Sequence, residues 1–172
     1  DYPLPRWRTL VVPATGDEQS AALTIPGDVS IRFDESAVGA GLNFQYFNGG
    51  DPTTPGQYMY EFTGGGVAVL DFDGDHWPDV YLTQGCRWPP DDKQTEHLDQ
   101  FFRNSEGRHF QNVTLESTIV ENQFSQGVAT GDVNNDGFPD LFVANIGHNR
   151  LLINNGDGTF EEARLPGDQG RW

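Results

Sequence analysis

Two nine-residue stretches of the chain place oxygen-bearing side chains at the same four positions. Residues 71–79 read DFDGDHWPD and residues 132–140 read DVNNDGFPD, so both fit the pattern D-x-[DN]-x-D-x-[aromatic]-P-D. Carboxylate or amide oxygens occupy the first, third, fifth and ninth positions of each stretch. Calcium takes roughly six to eight oxygen ligands, whereas the same carboxylates without a cation would repel one another. The spacing therefore predicts a calcium-binding loop in each stretch.

We predict two calcium ions, one in each loop, with the backbone carbonyl at the seventh position completing each ligand set. The predicted ligands are Asp71, Asp73, Asp75, Trp77 and Asp79 in the first loop, and Asp132, Asn134, Asp136, Phe138 and Asp140 in the second. Magnesium fits less well because it dehydrates reluctantly, and zinc is disfavoured because neither loop contains cysteine. The alternative interpretation is a pair of Asx-rich turns that need no metal.

The segments that flank the loops have the composition of strands. Small, β-branched and aromatic residues without helical spacing fill positions 66–70, 80–83, 127–131 and 141–144. An EF-hand would need flanking helices and a glutamate at the twelfth position, where this chain has Leu82 and Val143. The loops are therefore predicted to join strands.

The repeat extends beyond the loops. The first and second loops begin 61 residues apart, and the downstream segments QFFRN at 100–104 and RLLIN at 150–154 are offset by 50. The difference corresponds to an insertion in the first copy, within residues 86–98. Each copy contains a hairpin signal after its third strand, as in the Asn-Gly-Asp-Gly turn at 155–158. The fold class is therefore predicted to be all-β, with two recognisable four-stranded β-propeller blades.

The loops, the glycine run at 64–66 and a phrase beginning at Phe33 resemble FG-GAP/VCBS repeats, the blades of integrin-α-type β-propellers. They are similar, more narrowly, to the cartilage acidic protein-like (ASPIC/UnbV) family. The resemblance covers about residues 33–165 and implies a secreted or surface propeller, usually without catalysis. The family has glycine at the sixth loop position, as Gly137 does, whereas the first loop has His76. We therefore expect the first site to be weaker or differently shaped.

The predicted organisation has four parts. Residues 1–32 form an N-terminal arm, 33–62 a preceding strand with an aromatic and glycine-rich loop, 63–120 the first blade, and 121–172 the second blade with a connection to a next one. Because two blades cannot close a ring, we expect the chain to be part of a larger propeller. The residues predicted to pack on neighbouring blades are Val67, Val69, Tyr81, Leu82, Val128, Phe142 and Val143.

Composition narrows the classes of partner. The net charge of −16 argues against nucleic acid, which is bound by basic surfaces, and no stretch approaches the ~20 apolar residues of a membrane span. Cys86 is the chain's single cysteine, and Asn112 begins an N-glycosylation triplet. The pairing of Cys86 and the modification of Asn112 stay open at this point.

The predicted function follows from the loops and from the absence of a catalytic motif in the sequence. We predict a calcium-binding, non-enzymatic module for adhesion or protein assembly, located outside the cell, on its surface or in the periplasm. Its expected partners are other protein chains or further blades of the same precursor. The alternative is part of a propeller that binds or cleaves polysaccharide, with a saccharide as partner.

Overall fold

The computed structural model of the protein describes residues 34–91 and 93–167, so the predicted arm at 1–32 lies outside the described residues. Within them the chain forms eight strands and a short 3-10 helix, Met59–Phe62. The strands are β1 (Val67–Leu70), β2 (Asp79–Leu82), β3 (Gln100–Ser105), β4 (His109–Asn112), β5 (Phe124–Gly131), β6 (Asp140–Ile146), β7 (Arg150–Asn154) and β8 (Phe160–Ala163). The predicted all-β fold is confirmed.

The strands form two antiparallel sheets of four, in the order β1-β2-β3-β4 and β5-β6-β7-β8. Equivalent residue pairs face each other in both sheets: Val67–Leu82 and Asn104–Phe110 in the first, Val128–Val143 and Asn154–Phe160 in the second. These registers reproduce the offsets of 61 and 50 residues. The two predicted four-stranded blades are therefore confirmed.

The hydrophobic core is formed by one face of each sheet. The first sheet contributes alternate residues of its strands. The second sheet contributes positions whose equivalents in the first sheet do not belong to this core. The buried side chains are Ala68, Leu70, Tyr81 and Phe101 from the first sheet, and Leu141, Val143, Leu152 and Phe160 from the second. The inner strands approach closely because glycines face each other there: a Cβ on Gly66 would lie 2.8 Å from Gly127 Cα.

Two equivalent turns, at residues 37–41 and 114–118, precede the first and the second blade. Ala40 N donates to Ser36 O and Ser117 N donates to Val113 O, both at 2.8 Å. The turns then accept hydrogen bonds from the fourth strands: Phe110 N donates to Ala40 O at 2.7 Å, and Phe160 N donates to Ser117 O at 3.0 Å. Residues 36–40 and 113–117 therefore adopt the same hydrogen-bonded turn.

The strand predicted within residues 33–62 is not formed in its described part, residues 34–62. Residues 37–41 form a turn and residues 59–62 form the 3-10 helix. The physical reason is that the N–H of Ala40 bonds inside the turn, while its carbonyl accepts from the following blade. These groups are therefore not available to a neighbouring strand.

The outer face of the second sheet repeats the buried face of the first. Ala129, Val133, Phe142 and Leu151 are equivalent to Ala68, Phe72, Tyr81 and Phe101. The first set lies on the surface, with Val133 60% and Phe142 37% exposed, whereas every member of the second set is buried. Of the predicted packing residues, Val67, Val69 and Phe142 are exposed, and Tyr81 and Val143 are buried between the two sheets.

Candidate metal centre

The two loops are positioned by the inner hairpin of each sheet. The first loop joins β1 to β2, and the second joins β5 to β6. Each is closed by a strand pair at its ends, Leu70 with Asp79 and Gly131 with Asp140. Because β1 and β5 approach each other at equivalent glycines, the loops lie at the same end of the two sheets.

The ninth-position carboxylates anchor the loops to the third strands. Asp79 Oδ2 accepts from Phe72 N at 3.1 Å and its Oδ1 accepts from Asn104 N at 2.7 Å. Asp140 accepts in the same way from the backbone N–H groups of Val133 and Asn154, at 2.8 and 2.9 Å. Burial raises the pKa of Asp79 to about 6, and the charges of nearby carboxylates act in the same direction. A cation beside Asp79 would favour its ionised form.

The first loop brings three predicted ligands together. Asp71, Asp73 and Asp79 each offer an oxygen, and these oxygens all lie within 4.8 Å of one another. Asp71 Oδ2 accepts from His76 N at 2.9 Å, whereas its Oδ1 is buried without a hydrogen-bond partner. A buried carboxylate oxygen that lacks a donor is costly unless a cation or water satisfies it. This all-oxygen set fits a hard cation and could hold a metal ion.

Asp75 is not one of these three clustered acids, and it contacts a backbone amide and an arginine. Its Oδ1 accepts from Trp77 N at 2.9 Å, and its Oδ2 lies 3.4 Å from Nη2 of Arg103. The same guanidinium places Nε 2.6 Å from Oδ2 of Asp73. Arg103 on β3 was not foreseen as part of the site, because only the folded sheet brings it to the loop.

The second loop is held by bonds among its own predicted ligands. Asp132 accepts from Asp136 N at 3.0 Å and from Gly137 N at 2.9 Å. Asn134 Oδ1 accepts from Asp136 N at 3.1 Å, and Asn134 Nδ2 donates to Asp136 Oδ2 at 2.7 Å. Asp136 Oδ1 accepts from Phe138 N at 2.9 Å. The structure thus gathers Asp132, Asn134 and Asp136, with an amide at the third position instead of a carboxylate.

The sixth position of both loops has a left-handed backbone. His76 has a φ of 71° and Gly137 a φ of 95°. Glycine adopts this conformation without steric penalty, whereas histidine is strained there. The first loop therefore carries backbone strain at its sixth position, and a weaker or differently shaped first site stays a prediction.

The aromatic residues at the seventh position cover the hairpin between the third and fourth strands. A Cβ on Gly107 would lie 2.8 Å from the ring of Trp77, and one on Gly156 would lie 2.6 Å from the ring of Phe138. The motif thus retains an aromatic side chain for packing. Calcium ligation by the backbone carbonyls of Trp77 and Phe138 stays a prediction.

Two asparagines complete the support of the loops and were missed as functional residues. Asn104 Nδ2 donates to Pro78 O at 2.9 Å, and its Oδ1 accepts from Gly107 N at 2.9 Å. Asn154 makes the same pair of bonds, and its Nδ2 also donates to Phe72 O of the first loop at 2.8 Å. The signal that could have identified them is their equivalence under the offset of 50 residues.

A second polar cluster is buried away from the predicted ligands. Tyr81 Oη donates to Asp99 Oδ2 at 2.9 Å, and Arg150 Nη1 lies 3.3 Å from Glu121 Oε2. Both carboxylates are fully buried, and burial raises the pKa of each. Cys86 lies buried as a free thiol, and the same environment raises its pKa to about 12. A buried thiol whose pKa is raised in this way is a poor nucleophile.

Comparison with known families agrees with the geometry of the second blade. Residues 132–172 match the family described as FG-GAP-like repeat, over a range that begins at the second loop and includes β6, β7 and β8. This match supports the predicted FG-GAP repeat resemblance, while the ASPIC/UnbV group stays a prediction. No curated protein matches the chain. Among the described residues, no helix combines the length and apolar character needed to cross a membrane.

Proposed function

We propose that this chain is a calcium-binding, non-enzymatic propeller segment that serves adhesion or protein assembly outside the cell, on its surface or in the periplasm. The observation that carries the proposal is the cluster of three carboxylates in the first loop. One of its oxygens, Oδ1 of Asp71, is buried without a hydrogen-bond partner. The second loop occupies the equivalent place in its sheet, which supports a second ion there.

Calcium would act as a structural staple. Each loop joins two inner strands and is tied to the third strand through its ninth-position carboxylate, Asp79 or Asp140. An ion in the loop therefore links three strands of one blade and offsets part of the net charge of −16. Calcium suits these crowded oxygen sites better than magnesium, which usually retains several waters. Sites in extracellular modules bind calcium with a Kd of about 10⁻⁴–10⁻³ M.

The proposed role in assembly is supported by the outer face of the second sheet. Its residues Ala129, Phe142 and Leu151 are equivalent to residues that are buried in the contact between the two sheets. A surface with the pattern of an existing contact suits a further blade. We propose that such a blade, from the same precursor or another chain, packs on this face, in keeping with the repeat family that residues 132–172 match.

Calorimetry with calcium tests the metal sites in the full chain. We expect two binding events at millimolar calcium or below, the loss of one in Asp71→Asn and the loss of the other in Asp132→Asn. Glu161→Gln is the control, because this exposed β8 residue lies in neither loop and its loss should leave both events intact. Calcium at a hundredfold its Kd should stabilise the fold by about 2.7 kcal/mol. The absence of binding heat, with a Tm unchanged by chelator, would overturn the proposal.

An exposed aromatic stack favours the alternative of saccharide binding. Tyr58 and Tyr60 stack with ring centroids 5.2 Å apart, Tyr60 and Trp88 stack at the same distance, and Tyr58 and Trp88 are exposed. Aromatic rings of this kind provide apolar contact area with a polar edge. Titration with a panel of neutral oligosaccharides tests this alternative, with Trp88→Ala as the binding-deficient variant. Saccharide binding that Trp88→Ala leaves unchanged would show that the aromatic stack is not the binding site.

A further inference from the structure

We propose that Arg103 is a built-in competitor of calcium at the first loop, so that the second loop binds calcium more tightly. The inference rests on the proposed function, because it concerns the affinity of the same two loops. It assigns a regulatory role to a residue of β3 that stands outside both nine-residue motifs.

The geometry places a cation on two of the predicted calcium ligands. Arg103 Nε lies 2.6 Å from Asp73 Oδ2, and Arg103 Nη2 lies 3.4 Å from Asp75 Oδ2. These two residues are the predicted ligands at the third and fifth positions of the loop. Charge-assisted hydrogen bonds from a guanidinium to carboxylates are among the stronger polar contacts in proteins. An incoming calcium ion must displace this guanidinium from its oxygens or share the oxygens with it.

The second blade has no arginine at the equivalent place. Under the offset of 50 residues, Arg103 corresponds to Ile153 on β7, and the paired strands confirm this register. The predicted ligand at the third position changes as well, from Asp73 to Asn134. The first loop has four carboxylates and the second has three. When the guanidinium of Arg103 is counted with the first loop, both sites have a net charge of −3. The extra carboxylate of the first loop is therefore neutralised by Arg103 and does not add attraction for calcium.

Arg103 has space to leave the loop when an ion arrives. Its side chain is 46% exposed and lines an open cleft of about 460 Å³ between the first loop and the β7–β8 hairpin. Glu116 and Asp157 line the same cleft, so the displaced guanidinium would find other carboxylates there. Competition by a tethered side chain needs such an alternative position, because a fully enclosed cation would block the site permanently.

The test isolates the first loop by removing the second with Asp132→Asn in the full chain. In this background we compare arginine, Arg103→Lys and Arg103→Gln by calcium calorimetry. We expect Arg103→Gln to tighten calcium binding roughly tenfold, equivalent to about 1.4 kcal/mol. Arg103→Lys keeps the positive charge and should stay within about threefold of the parent. Circular dichroism in chelator checks that each variant is folded, so a changed Kd reports on the site.

The reciprocal variant moves the charge to the second loop. In a background with Asp71→Asn, Ile153→Arg should weaken calcium binding at the second loop by a similar factor, whereas Ile153→Gln should not.

Calcium binding that is unchanged by Arg103→Gln and by Ile153→Arg would overturn the inference and leave the calcium sites themselves intact. Absence of binding in the wild-type chain would overturn the proposed function first.

Discussion

Phe72 offers a sharp test of how the two blades are joined. It occupies the second position of the first loop, yet its side chain is only 3% exposed. Its ring lies 4.5 Å from that of Phe101 on β3 and 6.3 Å from that of Phe160 on β8, measured between centroids. Val133 occupies the same position of the second loop and is 60% exposed. One motif position therefore has two opposite environments within a single chain.

The expected cost of Phe72→Ala follows from the buried ring. A buried aromatic side chain removes about 150 Å² or more from water, and at about 25 cal/mol per Å² this corresponds to about 4 kcal/mol. Measured costs for Phe→Ala in cores of about 3–5 kcal/mol agree with this value. Val133→Ala should change the free energy of unfolding by less than about 0.5 kcal/mol, because its side chain remains in water.

Urea unfolding followed by circular dichroism measures both variants, once in chelator and once in calcium. Phe72→Leu is an intermediate control, since it keeps much of the apolar volume and should cost less than Phe72→Ala. A loss for Phe72→Ala no larger than that for Val133→Ala would show that the first loop does not insert between the sheets. The packing of Phe72 between the two blades, against Phe101 and Phe160, would then be refuted.

Two further outcomes are expected from the second polar cluster. Arg150→Ala should cost about 3–5 kcal/mol in the same assay, because it leaves the buried carboxylate of Glu121 without its counter-charge; a cost below 1 kcal/mol would contradict this. The second outcome concerns pH. Burial raises the pKa of the Asp99 carboxyl, so the folded state holds the carboxyl proton more tightly than the unfolded state does. Stability in chelator should therefore fall as the pH rises above the unfolded pKa of about 3.9. Asp99→Asn should lose less stability than the wild type between pH 5 and pH 8, and equal slopes would contradict this assignment.

Much of the fold could be predicted because the repeat encodes it locally. The strand registers follow from offsets of 61 and 50 residues, since equivalent residues make equivalent backbone pairs in each sheet. A strand was predicted within residues 33–62, whereas residues 37–41 form a turn that is closed by its own backbone hydrogen bonds. Alignment identifies equivalent residues, and hydrogen bonding decides their conformation.

The sequence by itself determined which residues could ligate calcium, because ligand chemistry depends on residue type and on spacing within nine positions. It could not distinguish the two loops by their surroundings. Only the tertiary structure placed Arg103 on Asp73, left Ile153 at the equivalent place, and buried Phe72 while exposing Val133. These differences arise from contacts between residues about 30 to 90 positions apart, such as Arg103 with Asp73 and Phe72 with Phe160, which only the folded sheets bring together. A local pattern thus predicts a site's ligands, and the neighbouring strands and sheet decide the charge and packing around them.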